Sequence, residues 1–587
     1  MRSRQRFLPK IFESINLLWL IVFAYQIAVS AGEKGFFAFD QSIVFDGSYR
    51  IYSGQIPYKD FLIPFGPVLF WLQGTIFKIL GVSYSSYIFG AALINVLTTI
   101  GAYSLLRMLF PNQKVVAYLG SILTATWFYP PFGTPWMEQT AYFFCFTALL
   151  CVIAGLLNNR IPAGGKMILF FVSGLLSLTA FLSKQNAGAL FVPVYGALFL
   201  AANHKSLRKA FTDIFIFASG WLAGLFSFWL WLITQSESSN FMHYFFEIPV
   251  AEVAADRLPV TIIEWTHALL IGYTPRIITT LSIASALIAI IIFFTERKSV
   301  DFSLRENKPR LLAATLAPSL FLYHNIFLIT SNNHVKNSIP FIGLIAAIGF
   351  GLLIKVSIHP PLTPPATGGE SKQVPLLRRT PLGDAGGLRG VGSEQLIIKH
   401  RKKTIPPAIM RAASALMLIV MTATFFFGVN SAPSRQNAIF KHATFPSYLT
   451  TEKLSALRWG EPTRIGKVIH ADDIDQLASY LDARGENFFI FPDFTIFYGL
   501  LNVPSPQPLV WFHEGLTYTK TYDPTLDDWI VSDLQKNQVK IVILEEESWF
   551  HTDQRLDAFP QLKSYISNNF VSEDQIGNFI IYAQKSD

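Results

Sequence analysis

"FDQSIVFDGSYRIYSGQIPYKDFLIPFGP", Phe39 to Pro67, follows the first long apolar run of the chain and carries Asp40, Asp46 and Asp60. The run before it, within "MRSRQRFLPKIFESINLLWLIVFAYQIAVSA", has a basic start and an apolar part long for a cleaved signal peptide, so it reads as a retained membrane helix. The stretch then places carboxylates beside the lipid surface. A carboxylate there is costly unless it is paired or solvated, which makes each a functional candidate. The bland alternative is a solvated loop aspartate or a helix cap. Within the stretch Gly54 and Pro57 set a turn, and Tyr58 and Phe61 suit interfacial anchoring. Asp60 has Lys59 or Arg50 as a partner, or caps a helix. Gly66-Pro67 opens "LFWLQGTIFKILG", whose pattern suits a helix lying in the interface.

Outward from this loop, composition sets the class. Of 587 residues 51% are hydrophobic and 15% charged, with a mean hydropathy of +0.38. This excludes an ordinary soluble globular protein and implies a polytopic membrane protein with polar segments. The net charge of +8 sits mostly in short loops between apolar runs, a topology signal and not a nucleic-acid surface, so no nucleic-acid partner is expected. Cys145 and Cys151 share one apolar segment and face different ways on a helix, so neither a disulfide nor a metal site is expected of them.

Apolar windows long enough to cross a core of roughly 30 Å recur along the chain. They lie near 12–30, 87–109, 115–129, 138–157, 167–182, 187–203, 211–233, 277–294, 311–330, 338–355 and 409–428, about eleven transmembrane helices. The basic clusters at Arg2–Lys10, Arg107–Lys114, Arg160–Lys166, Lys205–Lys209 and Arg297–Arg310 fall on one side, which the positive-inside rule makes cytoplasmic. The expected location is the cell's inner (plasma) membrane, with a cytoplasmic N-terminus and an extracytoplasmic C-terminus. Outer loops are then 31–86, 130–137, 183–186, 234–276 and 331–337. Residues 358–404, rich in Pro, Gly and basic residues, read as a disordered cytoplasmic loop.

After about residue 430 the pattern changes. "ADDIDQLASYL" and "DDWIVSDLQKN" read as helices, "NFFIFP" and "VKIVILE" as buried strands. The expected architecture is an α-helical polytopic membrane module over 1–429 with a C-terminal extracytoplasmic α/β domain over 430–587.

The run Asp40, Tyr49, Gly54, Pro57-Tyr58, Asp60-Phe61 and Gly66-Pro67, followed by "LFWLQGTIFKILG", resembles the first outer loop of the C-type (GT-C) membrane glycosyltransferases. The resemblance is nearest to bacterial members related to the protein O-mannosyltransferases and the lipid A aminoarabinose transferases. It covers residues 1–200 and, in layout, the later spans. Those enzymes often begin this loop with Asp-Glu, the aspartate acting as catalytic base. Asp40 takes the aspartate's place, and Gln41 stands where the glutamate usually is. The resemblance implies transfer of a hexosyl or pentosyl group from a polyprenyl-phosphate donor to a hydroxyl of a glycan, lipid or protein acceptor. Relatives often carry a Lys-Gln pair like Lys184-Gln185, and a basic residue where Lys336 stands.

The chemistry asks for the same groups. Nucleotide sugars are cytoplasmic, so an outward-facing transferase needs a donor anchored by a tail in the bilayer. A single inverting displacement needs a base for the acceptor hydroxyl, assigned to Asp40, and positive charge for the departing phosphate. Lys184 and Lys336 are the phosphate candidates, with Arg276 a weaker third. For Lys184 the plain alternative is a lysine snorkelling to the interface. Asp46, Asp60, Glu138 and His334 are candidates for acceptor or cation contacts, and a divalent cation is left open. Glu138 also has a plain reading as a first-turn acid on a helix dipole.

"DDID" at 472–475 imitates a metal-binding acid cluster but suits the first turn of a helix, and His513-Glu514 lacks the second histidine of a zinc hydrolase. The rival class is a transporter or lipid flippase. It would require charges deep within several spans, broken helices or internal repeats. The chief polar patch inside a span is Tyr323-His324-Asn325.

Overall fold

The structure, a computed structural model, describes residues 2–130, 133–254, 284–285, 287–288, 291, 304–331, 340–358, 407–431, 444–460 and 468–585. Long apolar runs become helices because a helix satisfies its own backbone hydrogen bonds where no water is available. In chain order these are α1 (Arg2–Gly32), α2 (Ala38–Tyr52), α3 (Val68–Leu80), α4 (Tyr84–Leu109), α5 (Lys114–Trp127), α6 (Met137–Leu157), α7 (Ala163–Phe181), α8 (Gln185–Ala202), α9 (Leu207–Gln235), α10 (Leu304–Ser331), α11 (Ile342–Ile358) and α12 (Pro407–Ser431). All the expected spans except 277–294, which falls almost wholly outside the described residues, coincide with one of these helices. Among the described residues six helices are long and apolar enough to cross a membrane: α1 from Glu13, α4, α6, α7, α8 and α9. α5, at 14 residues, is shorter than a full crossing.

Buried polar side chains pin the bundle. Asn95 on α4 donates to the carbonyls of Ala24 on α1 (2.8 Å) and Ala125 on α5 (3.0 Å), and its Oδ1 accepts from Tyr129 N–H. In an apolar medium such a side chain has few alternative partners, so it joins the helices that satisfy it.

α2 departs from the sequence reading, which treats 38–52 as loop. It is a helix buried on nearly every side, from Ala38 to Arg50, so it shows no amphipathic period. α3 carries one buried face, with Leu69, Phe70 and Phe77, and exposes Ile79 and Leu80 on the other. Gly66, just before it, has no room for a side chain: a Cβ would lie 1.6 Å from the Leu182 carbonyl oxygen. That close approach presses the segment between α2 and α3 onto the α7–α8 turn.

The C-terminal region contains α13 (Ala471–Arg484), β3 (Phe488–Phe491), α14 (Ile496–Leu501), α15 (Pro524–Lys536), β4 (Ile541–Glu545), α16 (Pro560–Asn569), β5 (Phe570–Ile576) and β6 (Phe579–Gln584), preceded by a short ladder of β1 (Ser447–Tyr448) with β2 (Arg458–Trp459). The sheet order is β3-β4-β6-β5. β3 and β4 run parallel, with Phe488 opposite Ile541, and β6 is antiparallel to both β4 and β5. Asp472 and Asp473 lie in the first turn of α13, where the helix dipole favours them. The β5–β6 hairpin turns at Gly577, whose φ of 54° is in the left-handed region.

This region shares a core with α2 and the segments flanking it. Phe36, Phe45 and Tyr49 pack in one cluster with Phe494, Phe497, Tyr498 and Trp511. Backbone bonds join Leu62 N–H to Pro508 O (2.8 Å) and Gly35 N–H to Arg458 O (3.0 Å).

Candidate functional site

Asp40 lies in the first turn of α2, one position before Gln41. Gln41 fixes that turn. Its Oε1 accepts from Phe37 N–H (2.7 Å), its Nε2 donates to Thr134 Oγ1 (3.0 Å), and its carbonyl accepts from the Tyr87 hydroxyl (3.0 Å). The Gln41 amide is thus a strut between the start of α2 and Thr134, ahead of α6.

Asp40 is half-buried, and among the described residues its carboxylate takes part in no hydrogen bond and no ion pair. Burial, then the charges of Glu138 and Asp493, push its pKa up to about 8. The helix N-terminus favours the anion, but that effect is outweighed.

Glu138 lies in the first turn of α6 and is 4% exposed. Its Oε1 lies 3.7 Å from Lys184 Nζ. Lys184 precedes α8, and the next residue locks the turn: Gln185 Nε2 donates to Pro64 O (2.9 Å) and Phe245 O (2.8 Å). The fold therefore gathers Asp40, Glu138 and Lys184, from three separate segments, at one end of the bundle.

Asp46 and Asp60 are placed differently. Asp46 is 0% and Arg50 1% exposed, with Nε to Oδ2 at 2.9 Å. Ser505 Oγ donates to the other oxygen of Asp46, and Arg50 Nη1 donates to Gln507 O (2.8 Å). One Asp46 oxygen pairs with Arg50 inside α2 and the other ties α2 to Ser505 of the C-terminal region, so both hold partners within the fold. Asp60 is exposed, and its Oδ2 accepts from Ile56 N–H (2.7 Å), holding the turn in which Tyr58 has φ 67°. That local cap replaces the pairing with Lys59 or Arg50. Lys336, His334, Arg276 and nearly all of 358–404 lie outside the described residues.

The C-terminal region adds groups that sequence reasoning missed. Phe39, beside Asp40, meets Trp511 at 5.1 Å and His513 at 6.0 Å between ring centroids, and the Arg555 guanidinium lies 5.5 Å above its ring. Asp493 accepts from Thr552 Oγ1 (2.8 Å), and its N–H donates to Glu545 Oε1 (2.9 Å). Burial pushes Asp493 up to about 7, against the lowering effects of Thr552 and Arg555, and drives Glu545 higher. Asp493 follows the expected strand "NFFIFP" directly, but strand patterning says nothing of what faces the strand's end.

Among the described residues no group of three His, Cys, Asp or Glu side chains is arranged to hold a metal ion. Asp40 and Glu138 supply two carboxylates there, and the Gln41 amide is already engaged.

Residues 64–233 match the family model for dolichyl-phosphate-mannose-protein mannosyltransferase. This segment includes Glu138 and Lys184, while Asp40 precedes it. No curated protein matches the chain in sequence. The fold is similar to that of ArnT from Cupriavidus metallidurans bound to undecaprenyl phosphate. The likeness has a TM-score of 0.52 at 12% identity, over 97% of this chain and 98% of that one. For the apo state of the same protein the TM-score is 0.51 at 12% identity, over 96% and 97%. A weaker likeness, TM-score 0.47 at 11% identity over 97% and 74%, is to the Archaeoglobus fulgidus oligosaccharyltransferase. The chain is a multi-pass membrane protein with the fold of the C-type membrane glycosyltransferases, and its residues 64–233 carry the match to the mannosyltransferase family.

Proposed function

We propose that this protein is a glycosyltransferase that moves a sugar from a polyprenyl-phosphate donor to an acceptor hydroxyl at the outer membrane face. The observation that carries the reading is the unpaired Asp40 carboxylate, gathered with the Glu138–Lys184 pair on a fold similar to that of a protein that binds undecaprenyl phosphate. Fold alone does not assign chemistry, so the reading rests on these side chains.

In the proposed step the acceptor oxygen attacks the anomeric carbon while Asp40 takes its proton. The bond from the anomeric carbon to the phosphate oxygen breaks, and its electron pair leaves with the phosphate. The configuration inverts because there is one displacement. Lys184 meets the developing phosphate charge and Glu138 holds the lysine in place, with Lys336 as a second cation. A base at a pKa of about 8 is poised near the working pH, which suits proton transfer better than an ordinary carboxylate. Phe39 and Trp511 offer apolar faces beside the base for a sugar ring.

Residues 1–429 would form the membrane module and 430–587 an extracytoplasmic domain over its outer end. The N-terminus would be cytoplasmic and the membrane the inner one. The deciding experiment reconstitutes the full-length protein with radiolabelled polyprenyl-phosphate sugars and envelope acceptors. Transfer by wild type and its loss in Asp40→Asn supports the reading. Transfer by both at equal rates removes Asp40 from it, and no transfer with any such donor removes the donor class.

A further inference from the structure

A second set of converging charges lies at the opposite end of the bundle. α6 begins at Met137, with Glu138 in its first turn near Asp40, and ends at Leu157, while α9 begins at Leu207 and ends at Gln235, next to Ser236, whose hydroxyl donates to the Pro57 carbonyl of the outer loop. The end of α6 and the starts of α7 and α9 therefore lie across the membrane from the proposed catalytic residues. Two cavities of about 420 and 360 Å³ open there and share Leu156, Ser206, Lys209 and Lys308.

Their walls are strongly cationic. Lys166, Arg208, Lys209 and Lys308 line the larger one, and Lys205 adds to the smaller. Lys166 and Lys209 both repel Lys308 within Coulomb range. Among the described residues the larger cavity's one acidic lining residue is Asp213, whose Oδ2 already accepts from Asn203 Nδ2 (2.9 Å). Among the described residues, four cations around one carboxylate leave an excess of positive charge that an anion would relieve.

Apolar surface continues from the same helices. Met167 and Phe170 line the cavity, and Met167 is 52% exposed, as are Phe211 at 62% and Phe215 at 73% along α9. A soluble anion would have no use for that surface. A molecule with a phosphate head and acyl tails would use both parts. Basic pockets between membrane helices bind anionic lipid head groups by this combination.

We propose that this cavity binds the phosphate of an anionic membrane lipid in the leaflet opposite to Asp40, with its acyl chains along Met167 and the exposed face of α9. The site is separate from the transfer reaction and stands whether or not Asp40 is a base.

The test uses full-length protein in a neutral detergent, titrated with phosphatidylglycerol or phosphatidylcholine and read by native mass spectrometry. Phosphatidylglycerol should bind at least tenfold more tightly than phosphatidylcholine. Lys166→Ala/Lys209→Ala should weaken it about thirtyfold, at roughly one order of magnitude or less per lysine, while Lys166→Arg/Lys209→Arg restores it. Inorganic phosphate at millimolar concentration should not displace it. Equal binding of the two lipids, an unchanged affinity in the alanine variant, or displacement by inorganic phosphate overturns the proposal, the last marking a site for a soluble anion. Should the alanine variant fail to fold, the wild-type affinity for phosphatidylglycerol must fall between 50 mM and 500 mM salt; a salt-independent affinity overturns it equally.

Discussion

Asp40→Asn is the sharpest perturbation, because it keeps the shape of the side chain and removes only its ability to accept a proton. In the wild type the carboxyl titrates at about 8, raised by burial, then by Glu138 and Asp493. A group at that value is ionised in roughly one-tenth of molecules at pH 7 and nine-tenths at pH 9. Turnover that needs the anion should therefore rise roughly tenfold over that interval and level off above it. The asparagine variant should lose about 10²- to 10⁴-fold of activity, the usual worth of a general base, and its residual rate should not vary with pH in this range. Stability should move the other way. A carboxyl whose folded pKa is raised contributes stability that is present at low pH and is lost as pH rises through about 8. The variant lacks that loss, so its thermal midpoint in detergent should match the wild type only below about pH 4, exceed it increasingly as pH rises to about 8, and keep that lead near pH 9. The assay pairs transfer from a labelled polyprenyl-phosphate sugar at about pH 7–9 with thermal unfolding from about pH 3.5 to 9. Activity within threefold of wild type would refute the role of Asp40. A variant destabilised at every pH would mean that the carboxylate is a scaffold group.

Three further substitutions separate the parts of the site. Glu138→Gln removes a charge that raises Asp40, so the midpoint of the pH–activity profile should move to lower pH, and an unmoved midpoint would mean the two groups do not interact in the working protein. Lys184→Ala should raise the KM for the lipid-phosphate donor by about ten- to a hundredfold, the worth of one charged contact, and leave the acceptor KM within twofold; equal effects on both would take Lys184 off the phosphate. Arg50→Met strands the buried Asp46 carboxylate and should destabilise the protein by about 3–5 kcal/mol, with Asp46→Asn in the same chain recovering part of the loss; a thermal midpoint unchanged in the single variant would contradict the buried pair.

Asp40, Asp46 and Asp60 show where sequence reading stops. All three lie in one polar loop after an apolar helix and are equivalent by composition. Asp60 is settled locally by Ile56, but the other two depend on residues far away in sequence: Ser505 and Gln507 engage the Asp46–Arg50 pair, while nothing described engages Asp40. α2 was illegible for a related reason. A helix buried all round has no polar face to reveal its period, and its burial comes from α3 and α4 together with a C-terminal region that the local pattern does not contain. The β5–β6 hairpin went unread although "IGN" offers a turn, because β5 is mostly exposed and lacks a strong apolar alternation.

What the chain determines by itself is whatever depends on near neighbours. Apolar runs of membrane length must close their own hydrogen bonds as helices, β3 and β4 announce themselves as short apolar stretches, and the acids at the start of α13 follow the helix dipole. Which carboxylate stays unpaired, that Glu138 meets Lys184, and that Phe39 comes to lie under Arg555 were decided only by tertiary packing. A carboxylate's pairing and pKa are set by the charges and the loss of water around it in space, and sequence separation carries no record of either.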